Sequence, residues 1–343
     1  MYHPRFKGTH YGMGYKYGRL MKKHNAHIPE IDRLTDEKRE FGGKCIAMCR
    51  EVYPEVINEM QGLADGLELS FNDFAGWIFC IYCYEYQHGC TCFAFKDDRT
   101  IIFGRNSDFF TEIKNVCESA LYSPESGNRF IGNSTAMVQM EDGYNEHGLA
   151  IGLTYIFPRI VRPGLNAGIL LRYILEKCNT VREALEALHK LPISSSQTFT
   201  LIDRTGAMAV VECNCEKIVV IEPEANEHFV VSANNFVSPE MQEYEHLCWI
   251  DAKERYNVAG HALGAHKDYS CELAKEILSG KYGFMCQYES GKYGFDTLWS
   301  TVYDLTNDRI FRAEGNPSKV TFKEDLRLRK AKERGKNRQV TPI

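Results

Sequence analysis

The sequence predicts an α+β protein, with a helical segment over residues 1–89 and a layered body of strands and helices over 90–343. Two observations carry this. Before residue 90, apolar side chains recur at threes and fours, the helical period. After it, short β-branched and aromatic runs alternate with turn residues, and amphipathic stretches interrupt the series.

In chain order, GYKYGRLMKKHNAHI runs without a breaker once past Gly14 and Gly18. Ile46, Cys49, Val52, Val56, Met60 and Leu63 then keep the helical spacing, with Pro54 inside the pattern to kink it or divide it into two helices. Ser70 followed by Asp73 has the form of a helix N-cap ahead of the apolar run from Phe74. From Cys90, the runs CFAF, RTIIFG, LAIGLTYIF, QTFTLIDR, AMAVVECN, KIVVIEP and HFVVSAN read as strands. Residues 168–191 read as helix, with Thr180 placed to cap a second one. Short helices are expected near 251–256 and 271–278, then a strand pair, TLWSTVYDL and RIFRAEGN, turning at 306–308. The run 327–338 holds seven basic residues and one acid, the mark of a solvated C-terminus.

Composition narrows the partners. Apolar residues at 44% and charged residues at 25% are those of an ordinary globular chain, and 343 residues can bury a full core. A net charge of −5 gives no footprint for nucleic acid. The start, MYHPRFKGTH, lacks a secretory pattern, and the longest apolar run, AGWIFCIYCY, is about half a membrane span, so no membrane is expected. Thirteen cysteines then point to free thiols in a reducing compartment, cytoplasmic by default. Assembly into a homo-oligomer stays open.

The chemistry concentrates in GCTCFAFKDDRTIIFGRNSDFF, residues 89–110. Three readings compete for its cysteines. Cys80 and Cys83, on an apolar helix, are expected as packing. Cys80, Cys83, Cys90 and Cys92 have C-x2-C-x6-C-x-C spacing, but zinc sites present two short pairs held by turns, so no metal is expected. The third reading makes Cys90 a nucleophile. A thiol with an ordinary pKa of about 8.5 needs a base. If the chain is cut between Gly89 and Cys90, the new α-amino group, with a pKa near 8, serves on the same residue. Gly89 suits the cut by leaving its carbonyl open. Arg105, Asn106 and Asp108 would return beside Cys90 on a hairpin turning near residues 97–100, where a carboxylate can hold the amine and an arginine can lower the thiol pKa.

At these residues the sequence resembles the N-terminal-nucleophile (Ntn) hydrolases of the linear-amide class. These include choloylglycine (bile salt) hydrolases, penicillin V acylases and acyl-coenzyme A:6-aminopenicillanic acid acyltransferase. C-T-x-x-x-F followed by F-G-R-N-x-D puts Cys90, Thr91, Arg105, Asn106 and Asp108 in matching places. The acyltransferase branch is the nearer in form, since it too has a long segment before a Gly-Cys-Thr cleavage point. GTHYGMGYKYG, YPEVINEMQGLADGLELSFNDF, DGYNEHGLAI and TLWSTVYDL also have counterparts there, in this order.

The resemblance implies a four-layer αββα sandwich behind a helical propeptide, and a self-processing enzyme without metal or organic cofactor. It implies an N-acyl amide as small-molecule substrate, with acyl transfer to an amine as the runner-up. Cys90 would be nucleophile, Asp108 would orient its freed amine, and Arg105 would lie beside the thiol. Asn234, in SANNF, would help form the oxyanion hole, with a backbone N–H near Thr154 or Tyr155 as second donor. Taken singly, Asp108 reads as a turn acid, Arg105 as a strand-edge charge and Asn234 as a turn residue. Cys92 follows Thr rather than Gly and ranks below Cys90, while Cys213 and Cys215 read as core. The family's late arginine has no counterpart near KYGFDTLWS, where Lys292 is the nearest cation. A metal-binding or structural relative that kept the fold and lost the chemistry is the alternative of another class.

Overall fold

The computed structural model describes residues 1–84, 89–245, 251–266, 268–288 and 294–339. The chain opens with β1 (Arg5–Gly8), α1 (His10–Lys23), α2 (Pro29–Asp32), α3 (Asp36–Val52), α4 (Pro54–Leu67) and α5 (Phe71–Cys80). Strands follow: β2 (Gly89–Lys96), β3 (Ile101–Phe110), β4 (Glu118–Pro124), β5 (Phe130–Ser134), β6 (Asp142–Asn145) and β7 (Ala150–Ile156). Next come α6 (Ala167–Lys177), α7 (Val181–Leu188), β8 (Ser196–Ile202), β9 (Met208–Cys213), β10 (Ile218–Ile221) and β11 (Phe229–Ser232). The chain ends with α8 (Ala252–Ala265), α9 (Cys271–Leu278), β12 (Phe295–Asp304), β13 (Arg309–Ala313), β14 (Lys323–Glu324) and α10 (Arg327–Gln339).

Local signals account for many boundaries. Pro54 is the first residue of α4 and divides the predicted helix in two. Ser70 and Thr180 accept the capping bonds expected of them, from the Asp73 and Glu183 amides.

Two sheets stack face to face. One runs β1-β4-β5-β6-β7-β8-β9-β10 and the other β11-β2-β3-β12-β13-β14. Strand alternation sorts the side chains into three apolar layers. Cys92, Ala94, Phe103, Ile131, Ala150, Met208 and Tyr303 fill the space between the sheets. Phe93, Phe95, Ile102 and Val302 face α8 and α9. Ile151, Leu153, Phe199 and Val211 meet α6 and the N-terminal helices. The result is four layers, helix, sheet, sheet, helix. Among the described residues no helix is long and apolar enough to cross a membrane.

The N-terminal segment departs from the all-helical expectation. Its β1 pairs in parallel with β4, so it completes the larger sheet. RFKG is too short to alternate legibly, and its partner lies more than a hundred residues away. Its helices are pressed together as well. Gly14 and Gly18 of α1 meet Gly62 and Gly66 of α4, and a Cβ at any of them would run into the facing backbone.

A buried charge cluster fastens these helices to the body. From α6, Arg172 donates to Glu59 at 2.8 Å and to Glu176 at 3.2 Å, and lies 3.9 Å over the Tyr122 ring. Tyr53 donates to Glu176 at 2.9 Å, His10 lies 2.8 Å from the same carboxylate, and Tyr122 donates to Glu59 at 3.1 Å.

Candidate active site

Residues 89–110 form the predicted hairpin. Gly89 lies opposite Asp108 and Cys90 opposite Ser107, with Asp97 to Thr100 at the turn. Alternation along β3 then divides its polar residues between the two faces. Arg105 and Ser107 point between the sheets, where both reach Glu141. Asn106 and Asp108 point toward the outer helix layer: Asn106 donates to the Leu278 carbonyl at 3.0 Å, and Asp108 meets Arg255 of α8.

Cys90 is fully buried, with its Sγ on the Arg105 side. Arg105 Nη2 lies 3.1 Å from that sulfur, while Nη1 donates to Asp142 at 3.0 Å and Nε to the Leu153 carbonyl at 3.2 Å. Gly152 makes room for this arginine, because a Cβ there would meet its Cδ, the Cys92 sulfur and the Phe103 ring. Trp299, Tyr303 and Asn133 complete the bonding of Asp142, so the guanidinium is held from behind.

The main chain of Cys90 is gripped from the other side. Its N–H donates to Asn234 Oδ1 at 2.7 Å, and the Asn234 Nδ2 donates to the Tyr155 carbonyl at 2.9 Å. Asp108 Oδ1 accepts from Thr297 at 2.6 Å, and its buried Oδ2, 3.8 Å from Arg255 Nη1, has no hydrogen bond among the described residues.

Electrostatics mark the site. Burial pushes the Cys90 thiol up to about 12, against the pull of Arg105. Burial likewise pushes Asp108 up to about 7, with Arg255 the chief opposing charge. Glu141 is raised for the same reason. So buried, the thiol is held in its protonated state.

Of the sequence-predicted residues, Gly89, Cys90, Arg105, Asp108 and Asn234 come together. Thr154 and Tyr155 lie on β7, and they reach the site through the loop after β11. Thr154 Oγ1 donates to the Ala233 carbonyl at 2.6 Å, next to Asn234. Lys292 lies outside the described residues. Cys92 faces the inter-sheet core beside Arg105, and Cys213 is core as expected, but Cys215, past the end of β9, is only half-buried and outside the core. The twelve cysteines among the described residues are free thiols. No group of three or more His, Cys, Asp or Glu side chains among those residues converges as metal ligands would.

Sequence reasoning missed Arg255. It is fully buried and donates to the Cys90 carbonyl and to Thr91 Oγ1, both at 2.7 Å, and to Asn234 Oδ1 at 2.9 Å. Its helix was expected near 251–256 but runs on to Ala265. The buried stripe of α8 is Ala252, Arg255, Ala259, Ala262 and Leu263. An arginine on that apolar stripe was the available signal.

Comparison with known proteins bears on the family and the fold. The sequence profile of the acyl-coenzyme A:6-aminopenicillanic acid acyl-transferase family matches residues 94–319. Among solved structures, penicillin V acylase from Agrobacterium tumefaciens superposes with a TM-score of 0.50 at 19% identity, over 66% of this chain and 83% of that one. An N-acylethanolamine-hydrolyzing acid amidase ortholog from Caenorhabditis elegans gives 0.48 at 18% identity, over 63% and 93% of the two chains. No protein in the curated set matches. The likeness to penicillin V acylase is one of fold, and the four layers seen here form an αββα sandwich.

Proposed function

The chain belongs to the acyl-coenzyme A:6-aminopenicillanic acid acyl-transferase family, and on that premise we propose that it is a self-processing cysteine amidase acting on a linear N-acyl amide. The observation that carries the reading is the double grip on Cys90: Arg105 on its sulfur and Asn234 on its nitrogen, directly after Gly89. In the first step the Cys90 sulfur attacks the Gly89 carbonyl carbon, the thiol proton passes to the Cys90 nitrogen, and the Gly89–Cys90 C–N bond breaks to leave a thioester on the sulfur. The resulting thioester is hydrolysed by water, leaving a Gly89 carboxylate and a free α-amine on Cys90. That amine replaces the missing base. It takes the thiol proton, the thiolate attacks the substrate carbonyl, and the amine leaving group departs with the proton. Water, activated by the same amine, then frees the acid from the acyl thioester.

Arg105 favours the thiolate by its charge, and Asp108, opposite Gly89, orients the new amine. Asn234 holds that nitrogen. Its Nδ2 can serve the oxyanion, with a β7 backbone N–H near Thr154 or Tyr155, once it exchanges the Tyr155 carbonyl for substrate. If an amine instead of water meets the thioester, the same machinery transfers the acyl group. The matching acyl-transferase profile favours this as the second reading. A reducing, cytoplasmic setting belongs to the same proposal, because the nucleophile must stay a free thiol.

The test is intact mass. Wild type should give two fragments that break after Gly89, the smaller about a quarter of the chain, and Cys90→Ala should stay whole. Folded wild type that persists at 39.3 kDa would overturn the self-processing mechanism.

A further inference from the structure

We infer that Thr297 is the positioning residue of Asp108, set against that carboxylate by a β-bulge in β12. This rests on the reading of Cys90 as nucleophile and of Asp108 as the holder of its amine. Along β12, Trp299, Thr301 and Tyr303 share the face that looks between the sheets, and all three reach Asp142. Ser300 takes the opposite face, where it donates to Asn106 Oδ1. Trp299 lies opposite Ser107 and Ser300 opposite Asn106. Unbroken pairing would therefore put Leu298 opposite Asp108, an apolar side chain against a buried carboxylate. The register shifts there instead, and Thr297 is the residue opposite Asp108. Leu298, the extra residue, packs with Cys117 and Trp299.

The Thr297 hydroxyl has one proton to give, and its surroundings decide where. Its oxygen accepts from the Gln287 N–H at 2.9 Å, a group that can only donate. The proton is thus committed to Asp108 Oδ1, 2.6 Å away. That ties down one carboxylate oxygen. It leaves Oδ2, which has no hydrogen bond among the described residues, for the amine that cleavage would free on Cys90. The threonine is itself held. Its N–H donates to Asp296 Oδ1 at 2.8 Å, and Asn316 Nδ2 donates to the same oxygen at 2.7 Å. Valine would match the shape of this side chain but leave Asp108 Oδ1 without its donor.

Charge adds a second effect. The groups facing Asp108 are Arg255 of α8, Asp251 just before it, Arg105 from its own strand, Cys90 from β2 and Cys286 from the segment before β12. Burial raises the carboxyl, and Arg255 and the Thr297 hydroxyl are the chief forces against it. Without the hydroxyl, Asp108 keeps its proton to higher pH. Self-cleavage puts a proton on the Cys90 nitrogen, which an ionised Asp108 favours, so the acid limb of the processing rate follows Asp108.

The experiment refolds the uncut chain from urea and follows self-processing by intact mass across a pH series, beside thermal melting. It compares wild type, Thr297→Val, Thr297→Ala and Thr297→Ser. Thr297→Val should process roughly tenfold more slowly at neutral pH, the scale of one hydrogen bond to a charged group. Its acid limb should move up by about one pH unit. Thr297→Ser keeps the donor, so it should stay within ~3-fold of wild type with the limb unmoved. Thr297→Ala carries the same expectation as valine and decides the matter if the valine variant does not melt cooperatively. The proposal fails, while the Cys90 reading stands, if the variants without a hydroxyl process with the wild-type rate and limb, or slow with the limb unmoved. It also fails if Thr297→Ser moves the limb as far as Thr297→Val does. A wild type that never cuts itself removes the underlying reading and this one with it.

Discussion

Two buried charge clusters, one on each sheet, divide the labour of this molecule. Around Arg172, every charge is answered: Glu59 and Glu176 share the guanidinium, and Tyr53, Tyr122 and His10 satisfy the remaining oxygens. Burial alone would raise Glu176, yet His10, Arg172 and Tyr53 outweigh it and hold that carboxyl below its ordinary range. Around Cys90, the balance tips the other way. Asp108 has an oxygen without a hydrogen bond among the described residues and is pushed up to about 7, and the thiol is pushed up to about 12. Equal burial gives opposite outcomes because only one cluster is closed. A closed network holds a fold together, whereas an open one stores the imbalance that chemistry needs.

The contrast can be broken most severely at its closed end. Arg172→Met, measured by urea denaturation in a Cys90→Ala background, should cost about 3–5 kcal/mol, because two buried carboxylates lose their cation. Asp108→Asn should do the reverse. In the same background it should stabilise the protein by on the order of 2 kcal/mol at pH 8, while slowing self-processing at least ~100-fold when Cys90 is present.

The pH dependence sharpens the point. Folded Asp108 keeps its proton up to about pH 7, whereas unfolded Asp108 loses it near 3.8, so wild-type stability falls as pH rises through that window. The gap to Asp108→Asn should open over the same range. Glu176 has the opposite sign. Its contribution is present above the ordinary glutamate value of 4.5 and is lost as pH falls below it, a loss that Glu176→Gln should abolish. A melting series from pH 3 to 9 reads both. The smallest effect is expected from Thr154→Val, about 1 kcal/mol for the bond to the Ala233 carbonyl, with processing changed less than ~3-fold. A large rate loss there would move Thr154 from scaffold to chemistry.

What the sequence disclosed was the local part. The hairpin from Gly89 to Asp108 was legible because its register follows from a short turn and alternating side chains. Caps at Ser70 and Thr180 are decided within one helical turn. Strands β4 and β5 were not legible, since inward residues such as Ser119 and Asn133 are polar and blur the alternation. Asn234 was found through a motif; its second partner, Arg255, was not. AKERYN by itself looks like a solvated helix surface, and the stripe that sets Arg255 apart shows only with Ala259, Ala262 and Leu263, beyond the expected end of that helix near 256.

The parallel pairing of β1 with β4 has a kinetic consequence. Before the bond after Gly89 is broken, strand and sheet belong to one chain, and refolding is a first-order event whatever the protein concentration. Were that bond cut as proposed, β1 and its helices would belong to a separate polypeptide, and recovery of the native state would become a bimolecular encounter, slower at each dilution. Maturation of the proposed kind would then work as a ratchet: the molecule would fold once as a single chain, and denaturation of a cut form would in practice be irreversible at low concentration.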